Sequence, residues 1–130
     1  MKLDTLVLSG GSTKVSVYIG IFRALFEKNI INQSLDGISH IVTCSIGMLF
    51  AIYILLDISL HVQEKAILQA DFSKVLDIDN LDIQNLLEKN GLFTNDKVSG
   101  LVKGVLQHKY NKDDLTLKEL YDIKPILLTV

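Results

Sequence analysis

The sequence predicts an α/β fold in three layers, with a short, mostly parallel sheet and helices on both faces. Three features lead to this prediction: two short β-rich segments near the N-terminus, an apolar repeat at helical spacing between them, and amphipathic segments after them. A helix that connects two consecutive strands favours a parallel pair, because parallel strands require a long crossover.

Two strand-helix pairs are predicted in the first half of the chain. The first strand covers residues 5–8 and ends at Gly10-Gly11, after which apolar residues at helical spacing predict a helix over 14–28. A second β-rich segment over 38–44 leads into an apolar helix over 47–56.

Amphipathic helices and one more strand are predicted in the second half. Each of these helices begins at a residue whose side chain can accept a hydrogen bond from the free amides of the first turn. These residues are Ser59, Asp82, Asn95 and Thr116, the last in a Thr116-Leu117-Lys118-Glu119 capping box. Residues 126–130, after Pro125, are interpreted as a third, buried strand.

Length and composition restrict the class of protein. The chain has 130 residues, of which 48% are hydrophobic, so one domain over 1–130 is expected. A net charge of −2 without a basic stripe argues against nucleic-acid binding. The apolar run over 46–56 is shorter than the roughly 18–20 residues of a membrane span. A single cysteine and the lack of a signal-peptide pattern predict a cytoplasmic protein.

Ser45 lies where the second predicted strand turns into its helix. A sharp strand-turn-helix elbow holds a serine clear of its own backbone, as a nucleophile requires. Gly47 would allow that helix to pack closely on the strand, whereas Thr43 stands where such elbows usually have glycine. The residues leave an alternative open, in which Ser45 simply caps the next helix.

The turn at Gly10-Gly11 is the second candidate element of a site. Successive amides in such a turn can converge on an oxyanion, and Lys14 adds positive charge behind them. The same turn could hold a phosphate, but it lacks the spacing of the known nucleotide loops. Together, the elbow and the turn favour hydrolysis of acyl esters.

These segments together resemble the patatin-like phospholipases, especially divergent viral or microbial members. That family opens with a strand, a G-G-G-x-[K/R]-G loop, a helix, a second strand and a G-x-S-x-G elbow. The corresponding segments are 6–15, 18–21 and 38–47, and similarity extends to 90–93 and 115–121, so the resemblance spans nearly the whole chain.

The resemblance implies a lipid acyl hydrolase that uses a Ser-Asp dyad and needs no metal or cofactor. The implied partners are a lipid or phospholipid substrate and peripheral contact with a membrane, without a transmembrane segment or nucleic acid, in the cytoplasm (the host cytoplasm if the protein is viral). Ser45 would be the nucleophile. The implied oxyanion loop consists of Gly10, Gly11, Ser12 and Lys14, and the elbow is supported by Thr43 and Gly47.

The chain departs from the family pattern in two ways: other residues replace some of the motif glycines, and the motif that carries the catalytic aspartate is absent. Ser12 and Val15 replace loop glycines, and no Asp-Gly-[Gly/Ala] motif follows Ser45. The only Asp-Gly pair, Asp36-Gly37, precedes the serine and is expected to form a local turn. The chain is therefore expected to be a truncated, N-terminal portion of the family fold. The alternative is a non-catalytic remnant that binds a lipid or a protein.

The remaining residues with chemical potential show no pattern of a site. His40, His61 and His108 are far apart in the sequence and lack the spacing of metal ligands. Cys44 is predicted to be a thiol in the core.

Overall fold

The computed structural model describes residues 3–11, 14, 16–69 and 96–130. The helix predicted to begin at Asp82 and the cap at Asn95 lie outside these residues. The described elements, in chain order, are β1 (Thr5–Leu8), α1 (Ser16–Glu27), β2 (His40–Thr43), α2 (Ile46–Leu55), α3 (Leu60–Gln69), α4 (Asp96–Tyr110), α5 (Leu117–Ile123) and β3 (Leu127–Thr129).

The chain divides into two compact units. One consists of residues 1–69 and 116–130 and contains the sheet, and the other consists of residues 70–115 and contains α4. The candidate site lies entirely in the first unit. A single domain over 1–130 stays a prediction.

The three strands form one parallel sheet in the order β1-β2-β3. Leu6 pairs with Ile41, which pairs with Leu128, and the pairing of neighbouring strands continues residue by residue without interruption. The predicted α/β class with a short parallel sheet is confirmed. The parallel pairing of β1 with β2 places their carboxyl ends side by side, and this edge of the sheet carries both candidate motifs.

The two faces of the sheet differ in burial. Leu6, Leu8 and Ile41 point to one face and are 8%, 4% and 0% exposed. On the other face, Val7 is 73% exposed and Leu127 is 54% exposed. The prediction that the third strand is buried is therefore wrong for most of its length. The cause is that β3 is an edge strand, and Leu127 is on the exposed face.

The first two helices end in the same way, with a residue in the left-handed region. Asn29 has φ 52° after α1, and Asp57 has φ 53° after α2. In each case the next amide donates back into the helix, from Ile30 to Leu25 and from Ile58 to Tyr53. These bonds satisfy carbonyls that a helix end leaves free. The predicted end of the first helix at residue 28 is thus one residue beyond its observed end at Glu27.

Two predicted helix caps are present. The Thr116 hydroxyl accepts a hydrogen bond from the Glu119 amide at 3.2 Å, while the Thr116 amide donates to the Glu119 carboxylate at 2.9 Å. This reciprocal pair is the predicted capping box. At α3, the Ser59 hydroxyl accepts from the Val62 amide at 3.4 Å. Both helices therefore begin where local side-chain chemistry places them.

An aromatic cluster joins α1 to α2. Phe22 and Phe50 are 1% and 2% exposed, and their ring centres lie 5.0 Å apart. Tyr18 also stacks on Phe50, with ring centroids 5.1 Å apart and an interplanar angle of 27°. Contacts of this kind add to the free energy of burial. These ring contacts hold together α1, which follows the glycine turn, and α2, which follows the elbow at Ser45.

Gly47 allows α2 to begin directly against the end of β1. A Cβ atom built on Gly47 would lie 2.5 Å from the Leu8 carbonyl oxygen and 3.0 Å from that of Ser9. The same Leu8 oxygen accepts a hydrogen bond from the Cys44 amide at 3.0 Å. The first turn of α2 and the end of β1 are thus in contact without any side chain between them.

Replacing Gly47 with alanine is expected to lower the free energy of unfolding by about 1–3 kcal/mol, because backbone atoms would have to move. Gly20→Ala in α1 is the matched control, since no described atom outside the helix's own backbone lies within 4 Å of a Cβ built there. That exchange should instead raise the free energy by about 0.5–1 kcal/mol. Urea denaturation measures both values, and equal effects would contradict the close approach.

Candidate functional site

Ser45 lies at an elbow between β2 and α2. Its backbone has φ 54° and ψ −128°, in the left-handed half of conformational space that is costly for a residue with a Cβ. The side chain is exposed and makes no capping hydrogen bond to the helix that follows. The geometry therefore differs from that of an ordinary cap such as Thr116, because the Ser45 hydroxyl is not used to satisfy the first turn of the helix.

The glycine turn lies directly beside this serine. A Cβ built on Gly10 would be 3.2 Å from the Ser45 Cβ and 3.8 Å from its Oγ. Gly11 accepts a hydrogen bond from the Lys14 amide at 2.9 Å, which closes the turn. The structure thus brings together Ser45, Gly10 and Gly11, which the sequence predicted as parts of one site. Ser12 lies outside the described residues.

Free amides are available around the serine. The N–H groups of Gly10, Gly11 and Ile46 donate no hydrogen bond among the described residues. By contrast, the Gly47 amide is used in the elbow itself, where it donates to the Cys44 carbonyl at 3.1 Å. The N-terminal end of α2 adds a partial positive charge at this point. Such groups can stabilise negative charge on an oxygen.

Thr43 replaces the usual glycine of the elbow, and the structure shows how its side chain is accommodated. Thr43 is 6% exposed, and its hydroxyl donates to the Thr129 carbonyl of β3 at 3.1 Å. A buried hydroxyl needs such a partner. The substitution therefore links the elbow strand to β3 without occupying the space around Ser45.

Sequence reasoning missed the contact that anchors the glycine turn to α1. The Tyr18 hydroxyl donates a short hydrogen bond to the Ser9 carbonyl, immediately before Gly10. The Ser9 hydroxyl lies 3.4 Å from the same phenolic oxygen. Tyr18 falls within the segment 18–21 that resembles the family, but nothing in the spacing shows where its side chain points.

The two aspartates on either side of the elbow in the sequence, Asp36 and Asp57, both lie away from Ser45. Asp57 follows the ten-residue helix α2 and is therefore roughly 15 Å from the serine along the helix axis. It forms an ion pair with Lys124. Asp36 precedes β2, at the opposite end of that strand, where its carboxylate accepts from the Asn32 amide group at 2.8 Å. The prediction that Asp36-Gly37 forms a local turn is confirmed.

The other reactive residues make separate local contacts. The His40 ring lies 2.8 Å from the Thr129 hydroxyl, on the exposed face of the sheet. Within the described part of the chain, no three His, Cys, Asp or Glu residues are close enough to hold a metal. Cys44 is exposed, so its prediction as a core thiol is wrong. The reason is that the strand ends at Thr43, and Cys44 already belongs to the elbow.

The described helices are all too short or too polar to cross a membrane. Comparison with curated proteins and with solved structures gives no significant match. The family described as Patatin-like phospholipase matches residues 6–124, which include the glycine turn, the elbow and α5. This match covers more than nine-tenths of the chain, and it agrees with the order of the two motifs in the fold. The chain belongs to the patatin-like phospholipase family.

Proposed function

We propose that this chain is a lipid acyl hydrolase with Ser45 as its nucleophile. The observation that carries the proposal is the strained, uncapped Ser45 at the end of β2, next to Gly10. Membership of the patatin-like phospholipases supports a lipid ester as the substrate. Phospholipids and other acyl esters are the proposed substrate class, and the reaction requires no metal or cofactor.

In the proposed reaction, the Ser45 Oγ attacks the acyl carbonyl carbon, and its proton passes to a carboxylate base. The ester C–O bond breaks as the alcohol leaves with that proton, and water then hydrolyses the acyl-serine. The free amides of Gly10, Gly11 and Ile46 are proposed to stabilise the oxyanion, with additional positive charge from Lys14. The Ser12 amide is proposed as a further donor, while Thr43 and Gly47 support the elbow.

The proposed dyad needs an aspartate as its base, and the Asp-Gly-[Gly/Ala] motif that supplies it in the family is absent after Ser45 in this chain. Neither Asp36 nor Asp57 can take this role, since Asp36 precedes the start of β2 and Asp57 follows the end of α2, both away from Ser45. No hydrogen bond to the Ser45 hydroxyl occurs among the described side chains, and this favours a second candidate function. In that alternative, the chain is a non-catalytic member that binds a lipid or a protein.

Peripheral contact with an anionic lipid surface is also proposed, through α1. Val17 and Ile21 lie one helical turn apart and are 57% and 46% exposed. Exposed lysines, Lys14 and Lys28, lie at the two ends of this apolar stripe. Apolar side chains between basic ones suit a surface of anionic lipid. Because α1 follows the glycine turn, such contact would bring the lipid surface close to Ser45.

Labelling with a fluorophosphonate probe is expected in the wild-type protein and lost in Ser45→Ala, because the probe reacts only with an activated serine. The matched control is Ser34→Ala, at an exposed serine in the loop between α1 and β2, which should label like the wild type. If folded wild-type protein does not label, the hydrolase proposal fails and the non-catalytic alternative is favoured.

Gly10→Ala is expected to reduce the labelling rate about tenfold, because the new methyl would contact the Ser45 Cβ and displace the nucleophile by a few tenths of an ångström. Gly11→Ala serves as the control, since the nearest described atom to its Cβ would be the Lys14 Cβ at an ordinary 3.8 Å. Gel-based labelling over time gives both rates. A larger loss in Gly11→Ala than in Gly10→Ala would contradict the proposed geometry.

The double variant Val17→Ser/Ile21→Ser is expected to bind vesicles that contain phosphatidylserine about tenfold more weakly, because less apolar surface would be buried. The pair Val62→Ser/Leu68→Ser on α3 is the control, since these apolar side chains are also exposed, at 54% and 78%. Co-sedimentation measures binding. Equal losses in both double variants would show that α1 has no special role.

A further inference from the structure

We infer that Tyr18 is a positioning residue that sets the direction of the Gly10 N–H group. The Tyr18 hydroxyl donates to the carbonyl oxygen of Ser9, which belongs to the same peptide unit as the Gly10 amide. That unit is trans and planar, so its C=O and N–H bonds point in opposite directions. A hydrogen bond that holds the oxygen therefore also fixes the amide.

The hydrogen bond acts on a peptide that would otherwise rotate easily. Gly10 has no Cβ, so both orientations of the Ser9-Gly10 peptide are sterically accessible. The Gly10 N–H has no partner of its own among the described residues, so it does not resist this rotation. The Tyr18 hydroxyl is the only described side-chain group that donates to the Ser9 carbonyl oxygen. Its removal should leave the amide direction unfixed.

Tyr18 is itself held by the helix that begins at the elbow. Its ring stacks on Phe50 of α2, and Phe50 is 2% exposed. The Ser9 carbonyl oxygen also lies against the first turn of α2, 3.0 Å from where a Cβ on Gly47 would be. Helix α2 therefore positions both groups. It holds the Gly10 amide through the ring of Tyr18, and it holds the nucleophile because Ser45 directly precedes its first residue.

The catalytic consequence rests on the proposed hydrolase function, because only an oxyanion needs the amide in this direction. Tyr18→Phe keeps the ring on Phe50 and removes only the hydroxyl. The labelling rate of Ser45 by a fluorophosphonate should fall by about tenfold or more, towards the roughly 10²–10³-fold that the loss of one oxyanion donor costs. Tyr121→Phe, at an exposed tyrosine of α5, is the matched control and should label like the wild type.

Alkylation of Cys44 by iodoacetamide separates positioning from a general loss of structure. Cys44 is exposed and adjoins Ser45, but its alkylation develops no oxyanion. Tyr18→Phe should therefore slow labelling of Ser45 and leave the alkylation rate of Cys44 unchanged. Equal slowing of both reactions would show that the hydroxyl merely stabilises the fold, and unchanged labelling would overturn the inference directly.

A measurement that does not depend on activity covers the case in which the wild type fails to label. The ¹⁵N order parameter of the Gly10 amide should have the value of rigid backbone, about 0.85, in the wild type and fall below about 0.6 in Tyr18→Phe. A Gly10 amide that is equally ordered in both proteins would overturn the role of Tyr18, whatever the outcome for the hydrolase proposal. If the Gly10 amide loses order in Tyr18→Phe but the wild type does not label, the hydrolase proposal is refuted and the role of Tyr18 is not.

Discussion

The contact between the Leu8 carbonyl and the start of α2 is the constraint on which the site depends. One oxygen accepts the Cys44 amide and also lies where a side chain at Gly47 would have to be. Both contacts lie at the end of β1. They hold Cys44, which precedes Ser45, and Gly47, which follows it, against that strand. The serine between them is left with a positive φ and no capping role. Backbone strain at this one residue is maintained by the packing around it.

The same region explains how a small parallel sheet can present a reactive group. The carboxyl ends of β1 and β2 lie side by side, so the turn after one strand is next to the elbow after the other. The aromatic cluster of Tyr18, Phe22 and Phe50 then joins the two following helices. The glycine turn, Ser45 and the positive end of the α2 dipole thus share one corner of the fold, which is the arrangement that the proposed acyl transfer requires.

Much of this corner was predictable from sequence, because it depends on local rules. Gly10-Gly11, Ser45 and Gly47 have fixed spacings from apolar strands, and the capping box at Thr116 needs only neighbouring residues. The errors have tertiary causes. The exposure of Leu127 depends on β3 being an edge strand, and the role of Tyr18 depends on a contact with Ser9 that spacing does not encode.

The central claim is that the glycine turn and the serine elbow form one site, and proton NMR tests it most directly. The spacing between Gly10 and Ser45 places the Gly10 Hα and Ser45 Hβ protons close enough for a nuclear Overhauser effect. We expect a cross-peak between them in the folded wild-type protein. A spectrum that shows the contacts of the β1-β2 pair but no effect between Gly10 and Ser45 would contradict the account.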